Sequence, residues 1–153
     1  MSEAATPDQV QPSFNIEKLY VKGVSLEVPH APSIFLEREA PQIDMQMQSD
    51  SSAIGEGVYE VVITVTLTAK LAAANKTMFL IEAQQAGIFQ LRNIPSQEME
   101  SLLSVMCPNI LYPYIREVLT DVSVRAGFAP VLLNPVNFEA LYQQKLAQAA
   151  TTH

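Results

Sequence analysis

The stretch Val58–Leu71, VYEVVITVTLTAKL, has the most regular pattern in the chain. Its odd-numbered positions are apolar or aromatic, whereas most of its even-numbered positions carry threonine or a charge. Alternation with a period of two is typical of a β-strand, because successive side chains point to opposite faces of a sheet. The stretch therefore predicts a strand whose odd-numbered face covers a core and whose even-numbered face meets water.

Three further runs show the same period on either side of this strand. Residues 14–28 and 43–50 precede it, and residues 77–89 follow it across an Ala-Asn-Lys turn at 74–76. Successive strands that are joined by short turns favour antiparallel pairing. The sequence thus predicts a four-stranded antiparallel sheet.

The first of these runs, residues 14–28, departs from simple alternation. Most of its apolar residues are even-numbered, but Leu19 and Val21 are odd-numbered. This pattern predicts that the strand needs apolar cover on both faces near Leu19. Gly23 predicts a β-bulge or a close approach of the backbone.

Downstream of the strands the apolar period becomes helical. Ser96 is predicted to cap a helix that Pro108 breaks or kinks, and Asn109 to cap a second segment. Gly127 predicts the end of that segment, and Asn137 the cap of a final helix. Strands followed by helices indicate an α+β fold.

Composition limits the classes of function. The chain has 153 residues, 48% apolar and only 16% charged, with a net charge of −7. Acidic residues outnumber basic ones, 16 to 9, which argues against nucleic acid as a partner. The low charged fraction predicts more apolar surface than one core needs, which favours oligomerisation or binding.

No catalytic or metal-binding constellation accompanies the reactive residue types. The two histidines, His30 and His153, lie apart from other potential ligands, and the one cysteine, Cys107, precedes a proline. The five glycines form no phosphate-binding loop. We therefore expect no enzyme activity, no cofactor and no metal, and we interpret Cys107 as a buried small hydrophobe.

The beginning of the chain and its single cysteine bear on its compartment. Residues 1–13 lack both the basic end and the apolar run of a secretory signal, and no stretch is long and apolar enough to span a membrane. With one cysteine, no disulfide forms within the chain. These features predict a cytoplasmic protein with a flexible leader at 1–13, a folded domain at 14–146 and a flexible tail at 147–153.

Three strings carry a resemblance to a known family. They are AQQAGIF at residues 83–89, CPNILYPYIR at 107–116 and PVNFEALY at 135–142. They resemble the bacterial SecB family of protein-export chaperones, and the match runs from about Phe14 to Leu146. The resemblance implies a sheet of four strands, a long broken helix and a C-terminal helix, assembled into a homotetramer that is a dimer of dimers.

The resemblance also implies a function. The family holds precursor proteins unfolded and competent for translocation, without ATP, and delivers them to the SecA motor for export across the inner membrane. Non-native precursors and the SecA ATPase are thus the expected partners, with no nucleic acid and no insertion into the membrane. Two alternatives stay open: a SecB-like chaperone serving an antitoxin, and a small-ligand enzyme with an apolar pocket.

Three groups of residues are carried over from the family or chosen as candidates. Glu27, Leu80 and Glu82 match family positions that bind SecA, whereas Gly23 stands where familiar members carry an acid. The fourth-strand positions Ile81, Ala83 and Gln85 match positions that affect assembly of the two dimers. Our candidates for a client-binding groove with aromatic walls are Tyr20, Val24, Phe35, Phe89, Tyr112, Leu133 and Phe138, with Met45 and Met47 as adaptable additions.

Overall fold

The computed structural model describes residues 11–151. The flexibility expected of residues 1–13 and 147–153 stays a prediction, and residues 1–10 and 152–153, including His153, lie outside the described residues. The elements are β1 (Ser13–Glu27), a 3-10 helix (Ser33–Leu36), β2 (Gln42–Gly55), β3 (Val58–Leu71), β4 (Lys76–Arg92), α1 (Ser96–Ser101), a π-helical segment (Leu102–Met106), α2 (Cys107–Arg125) and α3 (Phe138–Thr151).

The four strands form one antiparallel sheet in the order β1-β4-β3-β2. The predicted sheet is confirmed, with β3 and β4 at its centre and β1 and β2 at its edges. The expected hairpin is present, and Asn75 adopts the left-handed conformation in its turn, with φ of 48°. Asparagine tolerates that conformation better than most residues do, which explains its place there.

The core lies between the two central strands and α2. The odd-numbered residues of β3 from Val61 to Leu71 are fully buried, as the alternation predicts. From α2, Leu111, Ile115 and Leu119 are buried against them. Gly87 of β4 lets the helix approach closely, because a Cβ atom there would lie 2.7 Å from the Phe89 ring and 3.0 Å from Leu111.

The prediction that β1 needs cover on both faces near Leu19 is wrong. Two bulges, at Glu17 and at Lys22, each insert one extra residue opposite β4. Each insertion reverses which side chains point to which face. As a result, the even-numbered apolar residues at the ends of β1 and the odd-numbered ones in its middle share the face that α2 covers: Phe14, Ile16, Leu19, Val21, Val24 and Leu26. The bulge expected at Gly23 is confirmed, with Gly23 directly after the inserted Lys22.

Pro108 does not break the long helix. Residues 96–125 are helical without interruption, and the irregularity is the π-helical segment, in which the Cys107 N–H donates to the Leu102 carbonyl. This wider turn makes room for the ring of Pro108, the second residue of α2, beside the preceding carbonyls. Asn109 therefore lies inside α2 and caps nothing, and Pro113 lies in the helix interior.

Three other predicted helix boundaries differ in outcome. Ser96 is the first residue of α1 and makes no capping hydrogen bond, because Pro95 occupies the cap position. Asn137 does cap α3: its Oδ1 accepts the Ala140 N–H at 2.9 Å. Gly127 follows α2 with φ of 93°, which confirms it as the helix end.

An extended linker, residues 128–137, returns from Gly127 along α2. Thr120 Oγ1 donates to the Val131 carbonyl at 2.6 Å, and the Val131 N–H donates to Ser123 Oγ at 3.1 Å. Further along, the Tyr112 hydroxyl donates to the Asn134 carbonyl. These bonds fix the linker against the polar side of α2.

The two helix starts give a stability prediction. Asn137→Ala removes a capping acceptor, so it should lower the free energy of unfolding by about 1 kcal/mol. Ser96→Ala removes no bond, so it should change that free energy by less than about 0.5 kcal/mol. Urea denaturation at one fixed protein concentration measures both. Equal losses in the two variants would contradict the assignment of the caps.

Candidate binding surfaces

The sheet has one face that no described helix covers, and we call it the open face. In each strand it carries the side chains that alternate with the buried ones. On β2 and β3 these are polar for the most part: Asp44, Gln46, Gln48, Asp50, Glu60, Thr64, Thr66 and Thr68. On these two strands the open face is therefore polar, with a surplus of acid.

The three residues matched to SecA binding lie together on the open face. Glu27 is directly opposite Leu80 in the β1–β4 pairing, and Glu82 is two residues beyond Leu80 on the same strand. Both carboxylates are exposed, and Leu80 is partly exposed between them. Thr66 Oγ1 lies 3.4 Å from a Glu82 oxygen. The arrangement is an apolar side chain flanked by two acids on a flat sheet.

Another acid on the open face, Glu60, has its negative charge balanced by an ion pair. Lys22 Nζ lies 2.9 and 3.1 Å from its two carboxylate oxygens, and the Tyr20 hydroxyl donates to the same carboxylate. The phenol and the ammonium lower the pKa of Glu60, and the bond to Glu60 raises the pKa of Tyr20 to about 12. Glu60 stays ionised and paired near neutral pH, whereas Glu27 and Glu82, like Asp44 and Asp50, have no ion-pair partner within residues 11–151.

Gly23 occupies the open face between these two regions, opposite Gln84. A Cβ atom at this position would lie 3.2 Å from Gln84 Oε1, the end of a flexible side chain. An acid at position 23, as in familiar family members, would therefore fit after a small shift of Gln84.

The other side of the molecule is grooved, and it combines exposed apolar rows with polar side chains such as Arg116, Glu117 and Asp121. An open groove of about 1110 Å³ runs between β1, α2 and the linker. A second cavity of about 480 Å³ lies between β2 and the same linker. Leu132 and Leu133 border both cavities, and Met45 borders the second. The apolar residues of the larger groove are Leu19, Val21, Val118, Val124, Leu132 and Leu133.

The candidate groove residues divide into accessible and buried ones. Val24 and Phe35 are exposed by 46% and 49%, and Leu133 is partly exposed at the groove. Phe35 stacks on Phe128, with ring centroids 5.1 Å apart. Tyr20 borders the large groove, but its hydroxyl is bound to Glu60 on the open face. The accessible candidates are thus aliphatic as much as aromatic.

Three aromatic candidates belong to the core of the folded chain. Phe89 is fully buried, Phe138 is 3% exposed and Tyr112 is 5% exposed. The rings of Tyr112 and Phe138 meet edge to face, with centroids 5.8 Å apart. These side chains cannot contact a client unless the elements that cover them move, so their role in binding stays a prediction.

Sequence reasoning identified Val24 and Met45 but missed the other members of two exposed apolar rows at the edges of the helix-covered face. On β1 and β2 these residues are between 37% and 48% exposed, because α2 covers only the centre of the sheet. On β1 the two bulges switch the helix-facing residues between even and odd positions, so alternation along the sequence did not reveal the row. The residues are Ile16, Val21, Val24 and Leu26 on β1, and Ile43 and Met45 on β2.

The three positions matched to dimer–dimer assembly are buried within the protomer. Ile81, Ala83 and Gln85 lie on the helix-covered side of β4 and are at most 3% exposed. Gln85 forms part of the floor of the large groove. Their effect on assembly stays a prediction, and it would have to act through the packing of this protomer.

Cys107 is fully buried at the start of α2, as expected of a small hydrophobe. Burial raises the pKa of its thiol to about 12. Within residues 11–151, no group of three or more His, Cys, Asp or Glu side chains is placed to hold a metal ion. None of the helices described is long and apolar enough to cross a membrane.

The fold is that of a class of chaperones. A SecB-like chaperone of Mycobacterium tuberculosis, solved in complex with a ChAD peptide from an antitoxin, superposes with a TM-score of 0.68. The match covers 81% of this chain and 91% of that one, at 18% sequence identity. At that identity the likeness concerns the fold alone.

Sequence comparison then specifies the family. The model of SecB, described as a preprotein translocase subunit, matches residues 7–149. The protein-export protein SecB of Methylobacillus flagellatus is 57% identical, covering 99% of this chain and 98% of the relative. That of Chromobacterium violaceum is 58% identical, covering 93% of each. The chain belongs to the SecB family and is a chaperone of protein export.

The burial of Cys107 gives a prediction on thiol reactivity. At pH 8 the folded protein should react with a chromogenic disulfide reagent more than about a hundredfold slower than the urea-unfolded chain, because only the thiolate attacks. Raising the pH to 9 should not remove the difference, since the pKa lies near 12. Absorbance at a fixed reagent concentration follows both reactions. A fast reaction in buffer without urea would show that α2 opens locally.

Proposed function

We propose that the protein holds non-native precursors unfolded on its apolar, grooved side and docks on the SecA ATPase through its open face. The observation that carries this proposal is the separation of the two surfaces. Exposed apolar rows and grooves lie on the helix-covered side, and two unpaired acids flank Leu80 on the opposite side. A client and a basic partner segment can therefore be bound at the same time.

The apolar side suits clients of varied sequence. Aliphatic side chains and methionine offer contact without demanding a defined hydrogen-bond pattern, so they accept many unfolded segments. Leu132 is 78% exposed between the two cavities and gives a continuous apolar path across the linker. Binding of this kind needs no chemical step, so we propose passive holding without nucleotide and without enzyme activity.

We propose protein export as the function, in preference to service to an antitoxin. Relatives that cover nearly the whole chain at 57–58% identity are protein-export proteins, whereas the antitoxin-bound chaperone is 18% identical. The acids beside Leu80 also favour a docking step, which a client groove alone does not require. We place this activity in the cytoplasm, where precursors are met before export.

We propose further that the protein works as a homotetramer, a dimer of dimers. The exposed apolar row on β1, with Val21 and Val24 exposed by 48% and 46%, is costly to leave in water in an unassembled protomer. Pairing of copies would cover part of this surface.

The docking prediction concerns the acids beside Leu80. Glu27→Gln combined with Glu82→Gln should weaken SecA binding roughly 2- to 30-fold, since exposed charge pairs contribute about 0.2–1 kcal/mol each. Leu80→Arg should weaken it more, because it also replaces the apolar contact. Calorimetric titration at two salt concentrations measures the affinity, and the loss should shrink at high salt.

Two controls make the docking test specific. Arrest of a slow-folding precursor, assayed without nucleotide, should be unchanged in Glu27→Gln/Glu82→Gln. Gly23→Asp should strengthen SecA binding by adding an acid to the open face, and Gly23→Asn should not. If SecA binding persists unchanged without the two acids, or if client holding fails equally, this face is not the docking site.

The assembly prediction concerns mass in solution. Light scattering at micromolar concentration and neutral pH should give four times the 16.8 kDa chain mass. Val24→Asp should lower that mass, because it places a charge in the exposed apolar row. Gln85→Arg is a poorer test, since a charge there would be buried inside the protomer. A stable wild-type monomer would refute the tetramer.

A further inference from the structure

The docking residue Glu27 owes its place on the open face to a β-bulge. Tyr20 is even-numbered and lies on the open face, opposite Ala86. Glu27 is odd-numbered, seven residues further along the same strand, and lies on that face as well. In an unbroken strand, residues of different parity point to opposite faces. The register therefore has to change once between Tyr20 and Glu27.

The change occurs at Lys22. Val21 pairs with Gln85 and Gly23 pairs with Gln84, so Lys22 is the residue inserted between two consecutive partners on β4. Without this insertion Leu26 would point to the open face and Glu27 into the apolar side, where its charge would be partly desolvated. The place of Glu27 on the open face depends on this single extra residue.

A side chain from a third strand holds the bulge. The Lys22 ammonium and the Tyr20 hydroxyl, which stand on either side of Val21, both bind the carboxylate of Glu60 on β3. β1 and β3 are not neighbours, so these bonds cross over β4. They cross near Ala86, which is fully buried although it points to the open face.

The geometry makes this contact an effective clamp. The side chain of Glu60 is only 15% exposed, so water competes weakly for its oxygens, while Lys22 reaches both of them from a position 46% exposed. β1 is an edge strand, paired on one side by β4. Its backbone ladder alone tolerates slippage more easily than that of a central strand.

We propose that Tyr20, Lys22 and Glu60 are positioning residues, which hold the bulge of β1 and so keep Glu27 opposite Leu80 for docking. The inference rests on the proposed docking of SecA at the open face. It assigns a positively charged residue a favourable role on a surface that binds a basic partner.

Lys22 allows a decisive test, because charge counting and loss of the clamp predict opposite changes in SecA affinity when it is replaced. Lys22→Met removes a positive charge from the open face, so simple charge counting predicts tighter binding of SecA. Loss of the clamp instead predicts weaker binding, up to about fivefold, the worth of one exposed charge contact. Calorimetric titration of SecA with the full-length variant decides between them.

Matched variants complete the test. Lys18→Met changes the same charge on the same strand and face outside the clamp, and it should leave binding equal or tighter. Lys22→Arg keeps a cation in reach of Glu60 and should restore binding. Tyr20→Phe leaves the charge unchanged but removes one bond to Glu60, so it should weaken binding in the same direction as Lys22→Met.

Two readouts show whether the effect passes through Glu27. In the Glu27→Gln background, Lys22→Met should cause no further loss, because the residue it positions is absent. Amide hydrogen exchange over residues 24–27 should be faster in Lys22→Met than in Lys18→Met. Binding that is tighter or unchanged in Lys22→Met, or an undiminished effect without Glu27, would overturn the proposal. If Glu27→Gln itself has no effect on SecA binding, the docking site fails, and exchange over 24–27 still decides whether the clamp holds the register.

Discussion

The structure depends on a mismatch of widths: one helix covers one face of a sheet of four strands. A helix with its side chains is about 10–12 Å across, whereas strands lie about 4.8 Å apart, so four of them extend beyond it. Leu111, Ile115 and Leu119 of α2 therefore bury the centre of the sheet but not its edges. Gly87 places the helix still closer to β4. The exposed apolar rows on β1 and β2 follow from this geometry.

The same geometry separates the two surfaces proposed for binding. The side with α2 and the linker carries apolar rows and grooves, and the open face carries polar and acidic side chains. Because strand side chains alternate, one β4 residue points to the open face and its neighbour to the helix-covered side. Glu82 lies on the open face, while Ile81 is buried in the core. A thin protein thus presents two chemically distinct surfaces without a second domain.

Much of this could be predicted from periodicity. The strict alternation of β3 gave the right strand and the right buried face, and Asn137 was identified as a cap because a short polar side chain preceded an apolar helix. β1 could not be resolved in the same way. Its two bulges change the parity at Glu17 and Lys22, and a bulge is fixed by contacts with other strands that the local pattern does not contain. The bond of Tyr20 to Glu60, 40 residues away, is a contact of this kind.

The candidate site shows a related limit. Glu27, Leu80 and Glu82 were grouped by resemblance, and the pairing of β1 with β4 does bring them together. For the aromatic candidates, residue type alone did not separate rings that line a groove from rings that fill the core. Phe89 packs under α2, and Phe138, the first residue of α3, packs against Tyr112 of α2, a tertiary arrangement with no local sequence signal.

A chaperone that exposes apolar edges must also avoid pairing with itself in an uncontrolled way. β2 illustrates how one strand serves both needs. Its helix-covered side carries Ile43 and Met45, exposed by 41% and 37%, which suits apolar clients. The alternating positions on its open face carry Asp44 and Asp50, and charges along an edge strand oppose edge-to-edge association with a second copy. The net charge of −7 acts in the same sense over longer distances. Apolar contact is thereby available to an unfolded chain, which brings its own apolar residues but no matching acidic edge.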